Sequence, residues 1–234
     1  MSQHNPLDTK ISRRRLIQAA AATALTGPYI ISARGEQPVK LGLDNPLTGT
    51  YAAVGKNEMI GCQLAIEEIN KKGGILGRPA QLIVEDSTSG DAGTAVQKAR
   101  KLFERDGVDF LLGNVNSALS LAMADVAFEK KKILMVTGGH TDAVTGTTCH
   151  WNVFRICNTT QMEANAVAPA LVKNAGKKWY YITPDYAFGH TLQSGLEKAG
   201  AKLGVTKVAA TSPRSGPRTS RPTSSRRRPR TRTC

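Results

Sequence analysis

The chain has 234 residues, 40% of them hydrophobic, and a formal net charge of +14, which allows one large domain or two small ones. The charge is concentrated at the ends. Residues 212–234 carry eight arginines and no acid, residues 1–35 carry five bases against one acid, and residues 36–211 keep 19 bases and 17 acids. So even a balance in the middle argues against a basic nucleic-acid-binding face there, and the arginine-rich end has no aromatic residue to stack on bases.

The opening segment reads as an address. Ser12-Arg13-Arg14-Arg15-Leu16-Ile17-Gln18 resembles a twin-arginine export motif, a modestly apolar stretch follows, and Ile31-Ser32-Ala33 offers the small residues a signal peptidase needs. The stretch is too short and alanine-rich to span a bilayer stably. A basic amphipathic N-terminal helix is the other reading. With residues 1–33 as a signal peptide, the mature chain is expected in the periplasm or at the outer face of the cell membrane.

From Val39 onward, short apolar runs alternate with helical periodicity. Residues 39–43 predict a strand. Residues 57–72 predict an amphipathic helix with Ile60, Leu64 and Ile69 inward, stopped by Gly73-Gly74. Then come a strand at 81–85, a helix at 91–105, a strand at 108–112, a helix at 117–130 and a strand at 133–136. Residues 151–155 are extended. Thr160 with Glu163 suggests a capping box opening a helix to about residue 175. A strand at 179–183, a helix at 191–199 and a strand at 205–210 complete the pattern. Such βαβ alternation predicts parallel, doubly wound sheets. The expected lobes are residues 36–157 and, incompletely, 158–211.

Ligands of open parallel sheets sit beyond the carboxyl ends of the strands. Three loops fall there, at residues 45–55, 113–118 and 137–145, all rich in Gly, Ser, Thr and Asn. Gly113-Asn114-Val115-Asn116-Ser117 runs into a helix N-terminus, whose free amides suit a carboxylate. Ser117 also reads as that helix's N-cap.

Cys62, Cys149, Cys157 and Cys234 show no CxxC spacing, so neither a zinc ribbon nor a thioredoxin-type site is indicated. Cys62 and Cys157 are expected to be small buried residues, and the disulfide state stays open. His140, Cys149, His150 and Cys157 match no common zinc pattern. Ser117 and His140 lack a GxSxG elbow and an orienting acid, and no GxGxxG follows the first strand. No metal, cofactor or enzymatic step is expected.

Pro46-Leu47-Thr48-Gly49, Ala65-Ile66-Glu67-Glu68-Ile69-Asn70 and Gly73-Gly74-Ile75-Leu76-Gly77-Arg78 resemble the periplasmic leucine/isoleucine/valine-binding proteins, type I solute-binding subunits of ATP-driven importers. The likeness continues through residues 113–117, Thr137-Gly138-Gly139-His140-Thr141, Phe154-Arg155 and Asp185-Tyr186-Ala187-Phe188-Gly189. It implies a two-lobe periplasmic-binding-protein type I fold, its second lobe incomplete, that closes on a small-molecule ligand by a hinge. It implies that Ser117, Gly139 and Thr141 hold the ligand carboxylate and ammonium. Phe188 stands where such proteins carry a tyrosine, which makes the cleft more apolar, and Tyr51 and His140 are further candidates to line it. The ligand expected is a branched-chain amino acid or a related carboxylate, amide or aromatic acid. The partner expected is the membrane permease of an ABC importer, the protein being a monomer that binds no nucleic acid.

Two alternatives stay open: a periplasmic ligand-sensing domain, and a non-functional fragment. The second follows from the tail, where composition changes within one residue of Thr211 to Arg, Ser, Thr, Pro and Gly with a last Cys234. That is the composition of GC-rich coding DNA read out of frame. A truncated or frameshifted product with a disordered tail, poor solubility and weak or absent binding is the corresponding expectation.

Overall fold

The structure is a computed structural model and describes residues 37–213. The expected export signal at residues 1–33 and nearly all of the arginine-rich tail lie outside the described residues. Five strands form the first sheet: β1 (Val39–Asn45), β2 (Ala80–Asp86), β3 (Phe110–Leu112), β4 (Ile133–Val136) and β5 (Val153–Arg155). Their order is β2-β1-β3-β4-β5, and every pair is parallel. The connecting helices are α1 (Ala52–Lys71), α2 (Ala92–Glu104) and α3 (Ser117–Lys130), with a 3₁₀ turn at Asp142–Thr145. A second, parallel sheet pairs β6 (Lys178–Ile182) with β7 (Thr206–Thr211); α4 (Thr160–Ala175) and α5 (Ala187–Lys202) belong with it.

The core lies where α2 and α3 cover one face of the first sheet. Leu102, Leu111, Leu119, Met123, Leu134 and Val136 are almost wholly buried there, each contributing on the order of 1.5–3 kcal/mol. Asp91 starts α2 by accepting the Gly93 amide at 2.9 Å and the Thr94 hydroxyl at 2.6 Å. In β6, Trp179 and Tyr181 point inward onto Ala168 and Ala199, while Tyr180 and Ile182 point outward, as the period of two requires.

Several expectations need correction. The helix after β1 begins at Ala52, five residues before the predicted start, and its apolar residues Ile60 and Leu64 are 49% and 56% exposed rather than packed inward. It lies against β1 and β2 alone among the strands with substantial contact; farther along the sheet Phe110, Leu112, Ile133 and Met135 are half-buried and Phe154 is exposed. The helix expected from residue 191 starts at Ala187. The cap of α4 is Thr159, which accepts the Met162 amide at 3.1 Å. Glu163 instead reaches back to Asn158 and His140. Cys62 and Cys157 are only half-buried, and with Cys149 they are free thiols. Among the described residues no helix is long and apolar enough to cross a membrane.

Candidate functional site

The chain winds from β1 outward to β2, then returns to β3 on the other side of β1. That reversal opens a crevice between the loops after β1 and β3, where an open α/β sheet receives a ligand. Polar side chains fasten these loops. The Asp86 carboxylate accepts the Leu47 amide at 2.8 Å, the Thr48 hydroxyl at 2.7 Å and the Thr88 amide at 2.8 Å. Burial works against its ionisation, but these hydrogen bonds outweigh it and hold the carboxyl below its ordinary range. Glu58, from α1, accepts both the Asn45 amide at 2.7 Å and the Thr137 hydroxyl at 2.6 Å, tying the ends of β1 and β4 together.

The entry to α3 differs from the sequence reading. Asn116, not Ser117, is the N-cap: its side chain accepts from Ala118 at 2.8 Å and Leu119 at 3.4 Å. Two amides that could have met an anion are therefore already engaged. Ser117 becomes the first helical residue, almost wholly buried, and its hydroxyl oxygen accepts the Thr141 amide at 3.1 Å. Thr141 is fully buried, and its hydroxyl oxygen accepts the Ala143 amide at 3.5 Å. Both oxygens act as acceptors in these contacts, so neither contact uses the hydroxyl hydrogen.

Two glycines let the loops approach. A Cβ on Gly113, whose φ is +120°, would stand 2.2 Å from the Asp44 carbonyl oxygen, and one on Gly139 would stand 2.3 Å from the Ser120 hydroxyl. Gly139 is thus a packing requirement beside Thr141. Arg155 secures the same loop: its guanidinium donates to the Thr141 carbonyl at 2.7 Å, the His140 carbonyl at 3.3 Å and the Thr145 hydroxyl at 2.6 Å.

Opposite these groups, the second lobe supplies Tyr186 and Phe188. The rings of Tyr51 and Tyr186 have centroids 6.4 Å apart, those of His140 and Phe188 6.2 Å, and those of Tyr186 and Phe188 6.0 Å. Burial, and then a hydrogen bond with Tyr51, push the Tyr186 phenol above its ordinary value. All six residues read from the sequence, Tyr51, Ser117, Gly139, His140, Thr141 and Phe188, therefore fall in one connected region: Ser117 touches Thr141, Gly139 and His140 share its loop, and His140 and Tyr51 meet the rings of the second lobe. A separate cavity of about 300 Å³ is lined by residues including Asp142, Gln161, Ser194 and Lys198, and by none of those six.

Sequence reading missed Glu58, Asn116, Arg155 and Tyr186. Asn116 and Ser117 are both good caps, so adjacent positions could not be separated. Tyr186 had a visible signal, an aromatic two residues before Phe188 at a helix entry. Arg155 stood only within the Phe154-Arg155 likeness, and Glu58 had no signal, because its partner Thr137 is distant in the chain.

A two-lobed α/β architecture with a polar crevice at a sheet reversal, faced by side chains from both lobes, defines a solute-binding fold. The chain belongs to the periplasmic binding protein family, whose profile matches residues 38–221. It is 34% identical to the Leu/Ile/Val-binding protein BraC3 of Rhizobium johnstonii over 171 residues, 73% of this chain and 46% of that protein. Among solved structures it resembles a periplasmic binding protein from Burkholderia mallei with 30% identity and a TM-score of 0.72, covering 77% of this chain and 48% of the other. A solute-binding protein of an ABC transporter from R. palustris, solved in complex with benzoate, has 28% identity and a TM-score of 0.69, with 76% and 48% covered. The chain spans about half the length of the curated relatives it matches.

Proposed function

We propose that this chain captures a small carboxylate-bearing solute in the crevice between its lobes, on behalf of an ABC importer, without chemical change. The observation that carries the reading is the buried Ser117–Thr141 pair. The Ser117 hydroxyl meets the Thr141 amide at a helix entry, and the contacts that both hydroxyl oxygens accept leave their hydrogens for an acceptor. A carboxylate there replaces its lost hydration with charge-assisted hydrogen bonds. Gly139 lets the loop close over the pair, and Tyr51, His140 and Phe188 form the wall. The Leu/Ile/Val-binding relative and the benzoate complex both bear names of solutes with a carboxyl group, which supports the class. Delivery to a membrane permease, a periplasmic location reached by twin-arginine export, a monomeric state and a hinge between residues 36–157 and 158–211 complete the reading.

Isothermal titration calorimetry of the full chain against leucine, isoleucine, valine, their amides and benzoate tests it. Carboxylates should bind and amides should not. Ser117→Ala should weaken binding about tenfold, as expected for one hydrogen bond to a charged group. Amides binding as well as acids, or an unaffected Ser117→Ala, would contradict the reading.

A further inference from the structure

The solute-capture reading leaves the solute's body open, and the rings between the lobes bear on it. Tyr51 and His140 come from the first lobe, Tyr186 and Phe188 from the second. The pairs that cross between lobes are inclined, 54° for Tyr51 with Tyr186 and 71° for His140 with Phe188, while Tyr186 and Phe188 lie at 28°. His140 adjoins Thr141, so the cluster is continuous with the Ser117–Thr141 pair. Inclined and near-parallel rings together offer both an edge and a face to a further ring, the two arrangements that aromatic quadrupoles favour. An aliphatic side chain would be covered by the same surface but could use neither.

The charged groups around the loop point the same way. Glu58 is engaged by Asn45 and Thr137, Asp142 by the Thr160 hydroxyl at 2.7 Å and the Gln161 amide at 3.3 Å, and Glu163 by Asn158 and His140. The ammonium of an amino acid would have to compete with these donors for a counter-charge. A ligand with a carboxylate and no ammonium would not. The Tyr51 and Tyr186 phenols, on rings whose centroids are 6.4 Å apart, add a polar point in an otherwise aromatic wall.

We infer that the cleft selects aromatic carboxylates, with the carboxylate on Ser117 and Thr141, the ring among Tyr51, His140, Tyr186 and Phe188, and a ring hydroxyl met by the tyrosine pair. This rests on the capture of a carboxylate proposed above. Calorimetry with benzoate, 4-hydroxybenzoate, cyclohexanecarboxylate and leucine tests the two separately. Benzoate should bind at least tenfold more tightly than cyclohexanecarboxylate or leucine, and 4-hydroxybenzoate more tightly still. Phe188→Leu should bring the benzoate-to-cyclohexanecarboxylate ratio close to one. Tyr186→Phe, which keeps the ring, should shrink the 4-hydroxybenzoate-to-benzoate ratio. Leucine or cyclohexanecarboxylate binding as tightly as benzoate overturns the aromatic class and leaves carboxylate capture standing. No binding by any of the four acids overturns both.

Discussion

Asp44 and Glu85 are register partners on β1 and β2, so two carboxyl groups lie side by side on one face of the sheet. Lys98 bonds Glu85 at 2.7 Å and Lys101 also pairs with it; although burial opposes ionisation, these lysines hold Glu85 below its usual range. Asp44 forms no ion pair among the described residues, and the Lys98 charge and the Ser87 hydroxyl offset its burial only in part. It is fully buried, and neither carboxylate oxygen has a hydrogen-bond partner of ordinary geometry. The nearby Ser87 hydroxyl is engaged with Asn114 and the Thr88 carbonyl. Burial first, and then the Glu85 charge, push Asp44 from 3.8 to about 8.

By linkage, the folded chain keeps a proton on Asp44 that the unfolded chain releases, so this group makes folding less favourable as pH rises between 3.8 and about 8. Asp44→Asn should remove that dependence. Thermal melts should show the variant gaining on the parent toward pH 8 and losing its advantage near pH 4. Parallel profiles would count against the assignment.

Gly139→Ala should destabilise the chain, because the new methyl would press on Ser120, whose hydroxyl donates to the Asn114 carbonyl at 2.9 Å and the Asn116 carbonyl at 3.1 Å. The expected cost is about 1–3 kcal/mol, at roughly 2–4 °C in Tm per kcal/mol for a chain of this size. Differential scanning calorimetry reads it directly. An unchanged Tm would mean that the loop gives way freely.

Glu58→Ala should cost about 1–3 kcal/mol, since it strands the Asn45 and Thr137 donors. Glu58→Gln should recover part of the loss, because an amide oxygen still accepts. Urea unfolding of both variants provides the comparison, and equal losses would place the effect in packing instead.

Arg155→Lys should weaken solute binding several-fold even though Arg155 is proposed to act only through the backbone of His140 and Thr141. A lysine keeps the charge but cannot fork across two carbonyls and the Thr145 hydroxyl. Titration calorimetry against the best-bound acid measures it; wild-type affinity would remove Arg155 from the positioning of the loop.

Local signals made much of the fold legible. β4, α3 and the whole span of α4 stand where periodicity put them, since apolar runs and caps specify them within a few residues. Helix starts were harder. Ala52 and Ala187 open their helices without a side-chain cap, leaving no mark at the boundary. The inward face assigned to Ile60 and Leu64 shows the limit of amphipathicity: a pattern tells which side is apolar, not what covers it. At the candidate site, resemblance singled out Ser117 and Thr141, which the fold brings into contact, whereas Glu58 and Arg155 show what they fasten only through partners brought close by folding.

Among the described residues, the chain passes from the first sheet to the second once, through residues 156–159. That passage is pinned beside Thr141: the Thr160 amide donates to the His140 carbonyl at 2.9 Å, and the Thr160 hydroxyl donates to Asp142. If the lobes turn about it, Ser117 and Thr141 stay near the fulcrum while Tyr186 and Phe188 travel on the lever arm. A solute's charge would then be read at a nearly stationary point. On the proposed capture of a solute, its thickness would be read by the moving arm, so the breadth of the molecule, more than its charge, would set how far the second lobe swings.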